Sequence, residues 1–459
     1  MPELPEVATV IKIIKPLITN KIITSVDVFF DRLVQSDLTS FKKDLIGKTI
    51  LNVSQYGKYI FIHLSNDFVL ITHLRMEGKF RYSSSTYLRN KYTTALFYFN
   101  DGSSLGFDDT RKFGIMYLSK ENEYKELKFI KKLGVIANNI KESDLPELYE
   151  KFNNKKPIKE VITDQSVLCG IGNIYADEIL YDVKINPLTQ CKDLSQQDIK
   201  NICISSNKIL NHAIELGGST IHSFHPSEGV DGKFQIELKC YGREGQICPN
   251  CGTKFHKIFL GGRGTTFCPN CQINKNYEKA IGITGPIGSG KTTVLEYFKD
   301  KNYLTISCDE EIHKLYEIPM HKNKISKILN IPFDINNKII TQKAREEMIK
   351  YKDKKEEVEN YIYPILENKL LKIIQENDNV VIEVPLLFKA HFEYMFKKII
   401  VLLVNQEEQV KHLNERRENV TSAKGLNSDF KYDKNNGKII TINNNKTIKE
   451  LYEKLDQIF

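Results

Sequence analysis

The sequence contains no tryptophan and no long apolar run. A membrane-spanning helix needs about 18 to 20 consecutive apolar residues, and no run here approaches that length, so we expect no membrane partner. The first ten residues, MPELPEVATV, lack the basic segment followed by an apolar segment that a secretory signal requires. We find no internal repeat.

Cysteine is scarce and unevenly placed. Four of the nine cysteines stand in two CPNC sequences between positions 248 and 271, and the other five are scattered. A disulfide framework would favour an even number at regular spacings, so this pattern is typical of a reducing compartment and one metal site. We therefore expect a cytoplasmic protein.

The apolar content is sufficient for several cores. Hydrophobic residues make up 41% and aromatic residues 10% of the 459 residues, and this length predicts two to four domains. More than half of the net charge of +8 belongs to residues 1–272, where 35 Lys and Arg stand against 30 Asp and Glu. A positive excess of this size is compatible with an acidic polymer as partner but is weak evidence by itself.

The hydrophobic pattern changes along the chain. Residues 20–118 alternate β-rich runs with turn signals, and residues 124–216 follow a helical period. Strands and helices alternate from 280 onward, which predicts an α/β domain with a parallel sheet. We predict four domains: a β-sandwich (1–120), a helical domain (121–239), a Cys-rich hairpin (240–272) and an α/β domain (280–459).

The two CxxC sequences are 16 residues apart and predict a metal site. Two such turns can bring four thiolates into a tetrahedron around one Zn²⁺ and leave no position for water, so the metal would be structural. The loop between them carries Arg263, and a hairpin that presents an arginine suits contact with phosphate. The predicted ligands are Cys248, Cys251, Cys268 and Cys271.

The second residue is a proline and the third a glutamate. Removal of Met1 would make Pro2 a secondary amine, and because an α-amino group titrates at about pH 8, part of it is unprotonated at neutral pH. Such an amine can attack C1′ of a sugar and form a Schiff base. Glu3 beside it is a candidate proton donor. A proline at position 2 has no such meaning by itself, so this interpretation depends on the rest of the sequence.

A series of motifs runs in order through residues 1–272. They are MPELPEV, YGKYIF around Lys58, HLRMEGKF (73–80), DDTRKFG (108–114), IKEVITDQSVLCGIGNIYADEIL (158–180), and DGKFQIELKCYGREGQICPNCG leading to FCPNCQ. Together they resemble formamidopyrimidine-DNA glycosylase, and the opening PELPEV favours it over endonuclease VIII relatives. The resemblance implies a β-sandwich, a helix–two-turn–helix domain with a base-capping segment at 217–237, and a zinc ribbon.

The resemblance also implies excision of 8-oxoguanine or ring-opened purines from damaged duplex DNA, followed by cleavage of the abasic site. Pro2 would be the Schiff-base nucleophile and Glu3 the general acid. Lys58 would donate a proton in β-elimination, and Arg263 would serve in δ-elimination while holding a phosphate. The expected DNA contacts come from residues that enter the duplex when the base is flipped out, Met76, Arg111 and Phe113, and from residues near the backbone phosphates, Lys155, Lys159 and Asn173.

A second kind of motif lies at 281–293, where the sequence reads IGITGPIGSGKTT. It fits G-x-x-x-x-G-K-[ST] directly after an apolar strand and before a helical run. In this motif backbone N–H groups bind phosphate oxygens, the lysine reaches the β- and γ-phosphates, and the hydroxyl coordinates Mg²⁺. We predict ATP with Mg²⁺ as ligand, bound by Gly285, Pro286, Ile287, Gly288, Ser289, Gly290, Lys291, Thr292 and Thr293.

Four further segments surround this motif. They are TISCDEEIHKLYE (305–317), YPIL (363–366), VVIEVPLLF (380–388) and VNQEEQVKHLNERR (404–417). With the P-loop they resemble dephospho-CoA kinase over 280–459, which implies transfer of the γ-phosphoryl group of ATP to the 3′-hydroxyl of dephospho-CoA. Asp309 would be the catalytic base, and Arg416 and Arg417 would begin a mobile lid. The protein would then be two enzymes in one monomeric chain.

Other interpretations remain open at this stage. The P-loop half could couple ATP to work on DNA, phosphorylate another small molecule, or bind ATP without catalysis. Helicase-like coupling would need further NTPase motifs, which we do not find. The presence of Lys291, Thr292 and Asp309 argues against a non-catalytic domain. Two active enzymes are therefore the favoured interpretation.

Several positions depart from the family patterns. Ala8 stands where the glycosylase family usually has Glu, and Tyr92 falls where it has a DNA-contacting His. In the kinase half, Pro286 replaces the usual second glycine of the loop, and the segment 418–440 is shorter than the lid of the family. The catalytic set of the glycosylase half is intact, whereas the kinase half departs more, and the basic residues that its family carries between 334 and 346 are not identified here.

Overall fold

The computed structural model describes residues 1–219, 233–273, 280–334, 339, 341–415, 430–432 and 437–459. The chain divides into two compact units, one of Met1–Lys257 with Arg263–Gln272 and one of Ile273–Phe459 with Ile258–Gly262. Within the described ranges no helix is both long and apolar enough to cross a membrane. Most of the predicted base-capping segment and the lid residues Arg416 and Arg417 lie outside the described residues.

The first unit opens with a helix packed on a β-sandwich. The elements are α1 (Leu4–Ile18), β1 (Ile23–Val28), α2 (Leu38–Leu45), β2 (Ile50–Tyr56), β3 (Tyr59–Leu64), β4 (Phe68–His73), β5 (Lys79–Ser83), β6 (Thr93–Phe99), β7 (Ser104–Asp108) and β8 (Ile115–Lys120). Two antiparallel sheets, ordered β1-β6-β7-β5 and β2-β3-β4-β8, confirm the predicted sandwich. Buried residues of α1 recur three or four positions apart, so one apolar stripe of the helix joins the sandwich core.

Strands β3 and β4 are apolar on both faces. Ile60 and Ile62 of β3 belong to the sandwich core, whereas Phe61 packs with Val69 and Ile71 of β4 in a second cluster that includes several aromatic rings. Burial on two sides explains why the runs YIFIHL and FVLITH lack the strict polar alternation of a half-exposed strand.

The helical part and a zinc hairpin follow. The elements are α3 (Lys128–Lys131), β9 (Val135–Ile136), α4 (Leu145–Phe152), α5 (Ile158–Thr163), β10 (Leu168–Cys169), α6 (Asn173–Asp182), α7 (Gln196–Glu215), β11 (His256–Leu260) and β12 (Arg263–Phe267). Helix α7 begins at a capping box in which the Ser195 hydroxyl accepts from the Asp198 N–H (3.1 Å) and the Asp198 carboxylate accepts from the Ser195 N–H (2.9 Å). Helices α4, α5, α6 and α7 share one core, which includes the fully buried Tyr175 of α6.

The second unit is an α/β fold. Its elements are β13 (Ile281–Thr284), α8 (Lys291–Asp300), β14 (Leu304–Ser307), α9 (Cys308–Glu317), α10 (Pro319–Leu329), α11 (Thr341–Lys350), α12 (Lys352–Glu376), β15 (Val380–Glu383), β16 (Lys398–Leu403), α13 (Gln406–Glu415), β17 (Ile439–Asn443) and α14 (Ile448–Asp456). The strands form a parallel sheet in the order β14-β15-β13-β16-β17, as predicted. Pairing of Ile283 and Ser307 with Glu383 aligns the carboxyl ends of three strands at one edge, where ligands bind in such sheets.

Candidate functional site

A cleft of about 700 Å³ in the first unit is lined by most of the residues that the sequence singled out for DNA chemistry. Pro2 and Glu3 precede α1, Lys58 lies in the β2–β3 turn, Asn173 begins α6 and Arg263 begins β12. The tertiary structure therefore brings together residues from four distant parts of the sequence.

Glu3 is buried and caps a helix from a distant part of the chain. Its carboxylate accepts hydrogen bonds from the N–H groups of Gly172 (2.5 Å) and Ile174 (2.9 Å) at the start of α6. A side chain at position 172 would collide with this carboxylate. Burial raises the pKa of Glu3, and the Lys58 cation and the two N–H groups offset only part of that effect. The neutral acid therefore persists to higher pH than for an exposed glutamate.

Glu6, which was not singled out from the sequence, supports this arrangement. Its carboxylate accepts from the N–H of Glu3 (2.8 Å), the hydroxyl of Tyr175 (2.7 Å) and the N–H of Ser219 (2.8 Å). Burial and the neighbouring Glu6 raise the pKa of Tyr175 well above its ordinary value, so its hydroxyl remains a donor. The sequence could have indicated this role, because Glu6 lies three positions after the helix cap Glu3, as in a capping box.

Lys58 is also buried and lines the same cleft. Its ammonium donates to the carbonyl of Ile171 (2.8 Å). Burial lowers the pKa of Lys58, and Glu3 offsets part of the shift. The preceding Gly57 has φ +57°, and a side chain there would collide with Cys169, so only glycine fits this turn.

The structure places Lys159 differently from the sequence-based expectation of a phosphate contact. Its ammonium is buried against the carboxylate of Asp177 (2.6 Å) and the hydroxyl of Thr265 (2.8 Å). Asp177 also accepts from the N–H of Thr266 (2.9 Å), so this pair joins α6 to β12. The Lys159 side chain is therefore buried, whereas Lys155 is exposed.

Asn173 lies at the same junction between α6 and the zinc hairpin. Its side-chain amide donates to the carbonyl of Gly264 (2.9 Å), directly after Arg263. The N-terminus of α6, Asn173 and Arg263 therefore face one cleft, where N–H groups and a guanidinium suit phosphate oxygens.

The three residues expected to enter DNA lie on two neighbouring loops. Met76, in the β4–β5 turn, is 36% exposed, and Phe113, in the β7–β8 loop, is 52% exposed. The guanidinium of Arg111 lies 4.9 Å from the centre of the Phe113 ring. A hydrogen bond from Thr110 to Glu77 joins the two loops. Large apolar side chains left exposed in adjacent loops are suited to contact with a ligand.

Asp109 shapes the second of these loops and was not singled out from the sequence. Its buried carboxylate accepts from the N–H groups of Arg111 (3.0 Å), Phe113 (2.9 Å) and Gly114 (2.7 Å). These bonds hold a loop in which Lys112 has a positive φ of 56°. The aspartate thereby fixes the backbone from which Arg111 and Phe113 project.

The four cysteines of the hairpin have the geometry of a zinc site. Their sulfur atoms all lie within 4.8 Å of one another, with 3.8 Å between Cys248 and Cys271 and 3.4 Å between Cys251 and Cys268. A tetrahedron with Zn–S bonds of about 2.3 Å requires sulfur separations of about 3.8 Å. The donor set therefore fits a structural Zn²⁺, as predicted.

In the second unit the P-loop stands between β13 and α8. The ammonium of Lys291 donates to the carbonyls of Gly285 (3.1 Å) and Pro286 (3.0 Å) and lies 3.9 Å from the carboxylate of Glu383. Glu383 ends β15 and is buried. Glu383 was not singled out from the sequence, although an acidic residue at the end of an apolar strand could have indicated it.

Asp309 lines a separate pocket of about 250 Å³ in the second unit. The pocket walls combine apolar side chains such as Ile312 and Ile362 with the polar groups of His313 and Lys355. Asp309 is exposed in the first turn of α9. A carboxylate at the mouth of a mixed polar and apolar pocket can accept a proton from a bound hydroxyl.

Four family models match the chain. The formamidopyrimidine-DNA glycosylase N-terminal domain matches residues 1–116, the H2TH domain of the same enzyme matches 137–225, and the zinc finger found in FPG and IleRS matches 245–273. Dephospho-CoA kinase matches residues 279–445.

Curated relatives and solved structures agree with the first three matches. Formamidopyrimidine-DNA glycosylases of Lactobacillus helveticus and Mycoplasma mobile are 41% and 38% identical over 273 and 274 residues, covering 60% and 59% of this chain and 99% of each relative. The Lactococcus lactis enzyme in complex with DNA containing Fapy-dG is 37% identical, with a TM-score of 0.56, over 59% of this chain and 99% of that chain. The chain thus belongs to the formamidopyrimidine-DNA glycosylase family and carries a dephospho-CoA kinase domain fused after the zinc finger.

Proposed function

We propose that the first unit removes oxidised purines, 8-oxoguanine and formamidopyrimidines, from duplex DNA and then cleaves the abasic site. The observation that carries this proposal is the convergence of Pro2, Glu3, Lys58 and Arg263 on one cleft. The cleft combines an N-terminal residue, a buried acid, a buried amine and a guanidinium, which are the groups that this chemistry needs.

The first step requires removal of Met1, which lines the same cleft. The amine of Pro2 then attacks C1′ of the damaged nucleoside as the bond from C1′ to the base breaks. The departing base takes up a proton, and Glu3, whose pKa is raised by burial, is placed to supply protons at this site. Opening of the sugar ring leaves an iminium between Pro2 and C1′.

Strand cleavage follows from the iminium. In β-elimination a C2′ proton passes to water as the 3′-phosphate departs, and in δ-elimination a C4′ proton passes to water as the 5′-phosphate departs. Lys58 has a pKa lowered by burial and supplies a proton in the first elimination. Arg263 is exposed at the start of strand β12 and holds phosphate during the second elimination.

The experiment that tests this proposal is reduction of the intermediate with borohydride. We expect the full chain, incubated with duplex DNA containing 8-oxoguanine, to become covalently linked to DNA and to release the free base. Peptide mapping should place the link on Pro2 of a chain without Met1. A link on Lys58, or base release without any trapped adduct, would contradict Pro2 as nucleophile.

Met76, Arg111 and Phe113 are proposed to fill the stack when the damaged base leaves it, and Asp109 holds the loop that carries Arg111 and Phe113. We expect Asp109→Ala to lower excision from duplex DNA by about 10-fold, because three N–H groups lose their acceptor. The measurement is the single-turnover excision rate and its half-saturating enzyme concentration. The excision rate of Asp109→Asn should lie between those of the wild type and Asp109→Ala, because the asparagine amide keeps one acceptor oxygen.

The matched control for Asp109 is Asp31→Ala, which removes an exposed carboxylate from the same sandwich. It should leave excision unchanged. If Asp109→Ala also excises at the wild-type rate, the loop does not depend on this carboxylate.

We further propose that the second unit transfers the γ-phosphoryl group of ATP to the 3′-hydroxyl of dephospho-CoA. The P-loop with Lys291 supports nucleotide binding, and the pocket beside Asp309 supports a bound acceptor. Thr292 and Glu383 offer the oxygen donors that Mg²⁺ prefers, and the metal would neutralise phosphate charge when bound. Asp309 accepts the proton of the attacking hydroxyl.

The test of this second proposal is product formation from ATP and dephospho-CoA by the purified full chain. We expect stoichiometric ADP and a 3′-phosphorylated product identified by mass spectrometry. ATP binding without this product would mean that another hydroxyl compound is the acceptor. We also propose that the chain is organised into four domains with the boundaries 1–120, 121–239, 240–272 and 280–459.

A further inference from the structure

Five consecutive backbone carbonyls of the P-loop each accept a hydrogen bond from a side chain. Lys291 donates to two of them, the Gln409 amide donates to Ile287 (2.6 Å), and His412 Nδ1 donates to Gly288 (2.9 Å). The Asn444 amide donates to Ser289 (2.9 Å). The carbonyls form an unbroken series: Gly285, Pro286, Ile287, Gly288 and Ser289.

The donors outside the motif come from two elements that follow the loop by more than 100 residues in the sequence. Gln409 and His412 are three residues apart on α13, so both lie on one face of that helix. Asn444 directly follows β17. The loop backbone is therefore held by two elements outside the motif itself.

Because the peptide bond is planar, these carbonyl contacts also determine the direction of the N–H groups that follow them. In a trans peptide the carbonyl of one residue and the N–H of the next point to opposite sides. Carbonyls turned toward α13 and the end of β17 therefore turn the N–H groups of Gly288 and Gly290 to the other face. Phosphate binding by a P-loop depends on N–H groups presented in this way.

Two glycines of the loop match this packing. A side chain at Gly288 (φ +81°) would press on Gln409, and one at Gly290 (φ +95°) would collide with the Asn444 amide. The loop also has one donor fewer than usual, because Pro286 has no N–H. Its remaining donors are correspondingly important for phosphate.

We propose that Gln409, His412 and Asn444 are positioning residues that hold the P-loop ready for phosphate before the nucleotide arrives. Lys291 exchanges its carbonyl contacts for nucleotide phosphates, whereas these three side chains keep theirs throughout. This inference rests on the proposed nucleotide binding by the second unit. It does not depend on which acceptor is phosphorylated.

The test compares binding of ATP, ADP and adenosine to the full chain by calorimetry. Gln409→Met, His412→Ala and Asn444→Ala each remove one donor, and each should weaken ATP and ADP binding by about 3- to 10-fold. Adenosine binding should be unchanged, because it has no phosphate to meet the loop. His412→Gln restores a side-chain donor and should recover part of the loss.

Lys411→Ala is the matched control on α13, since Lys411 is exposed and pairs with Glu408 (3.6 Å). It should bind all three ligands like the wild type. Equal ATP affinity in the donor variants, or an equal loss for adenosine and ATP, would overturn the inference. Failure of the wild-type chain to bind ATP would instead remove the proposed kinase function, and this inference with it.

Discussion

Glu3→Gln is expected to lower the rate of base excision by about 10³-fold, because the amide cannot supply a proton to the departing base. The amide is nearly the same size as the carboxylate and can keep one acceptor oxygen at the start of α6. The variant should therefore fold, and the change should report proton transfer rather than loss of structure. Glu147→Gln, an exposed change on α4, is the matched control and should leave the rate of base excision unchanged.

The same variant separates excision from strand cleavage. DNA with a preformed abasic site has no base to protonate, so Glu3→Gln should cleave it with a much smaller loss. The measurement is excision and nicking by gel electrophoresis on the two substrates. Equal losses on both would show that Glu3 acts mainly on the cleft structure.

The pH dependence follows from the same carboxyl group. Because burial raises the pKa of Glu3, the protonated acid is present up to that raised pKa and is lost as the pH rises through it. Wild-type excision should therefore fall on the alkaline side of this pKa. The corresponding fall should be missing from the residual activity of Glu3→Gln.

Lys291→Ala is expected to reduce ATP-dependent phosphoryl transfer by about 10³-fold, because the ammonium compensates charge on the transferring group. Lys291 is buried and held by the carbonyls of Gly285 and Pro286, so its charge is directed toward the loop before nucleotide binds. The measurement is the rate of ADP formation at saturating ATP and dephospho-CoA.

Lys299→Ala is a suitable control for Lys291→Ala, since Lys299 is an exposed lysine in the last turn of the same helix, α8. It should transfer phosphate at the wild-type rate. Excision of 8-oxoguanine by Lys291→Ala should also be unchanged. Retention of phosphoryl transfer in Lys291→Ala would contradict the assignment of this P-loop as the catalytic nucleotide site.

The features that sequence alone determined are those encoded by short, local spacing. Each CPNC sequence places its two cysteines on one turn. The sulfur separation within a pair, such as Cys248 and Cys251, therefore depends little on the rest of the fold. The P-loop is likewise one strand, one turn and one helix N-terminus. The β-sandwich and the parallel sheet also followed from periodicity, because hydrophobic runs of strand length must be buried.

The tertiary structure decided how each side chain behaves. Glu3 owes its raised pKa to burial against α6, which is about 170 residues away in sequence. Lys159 is turned inward by Asp177, and no local pattern distinguishes such a lysine from a surface one. His412 meets the P-loop only because α13 packs across it. Burial and long-range contacts determine the protonation state of a side chain and its access to a ligand, and the local spacing of residues predicts neither.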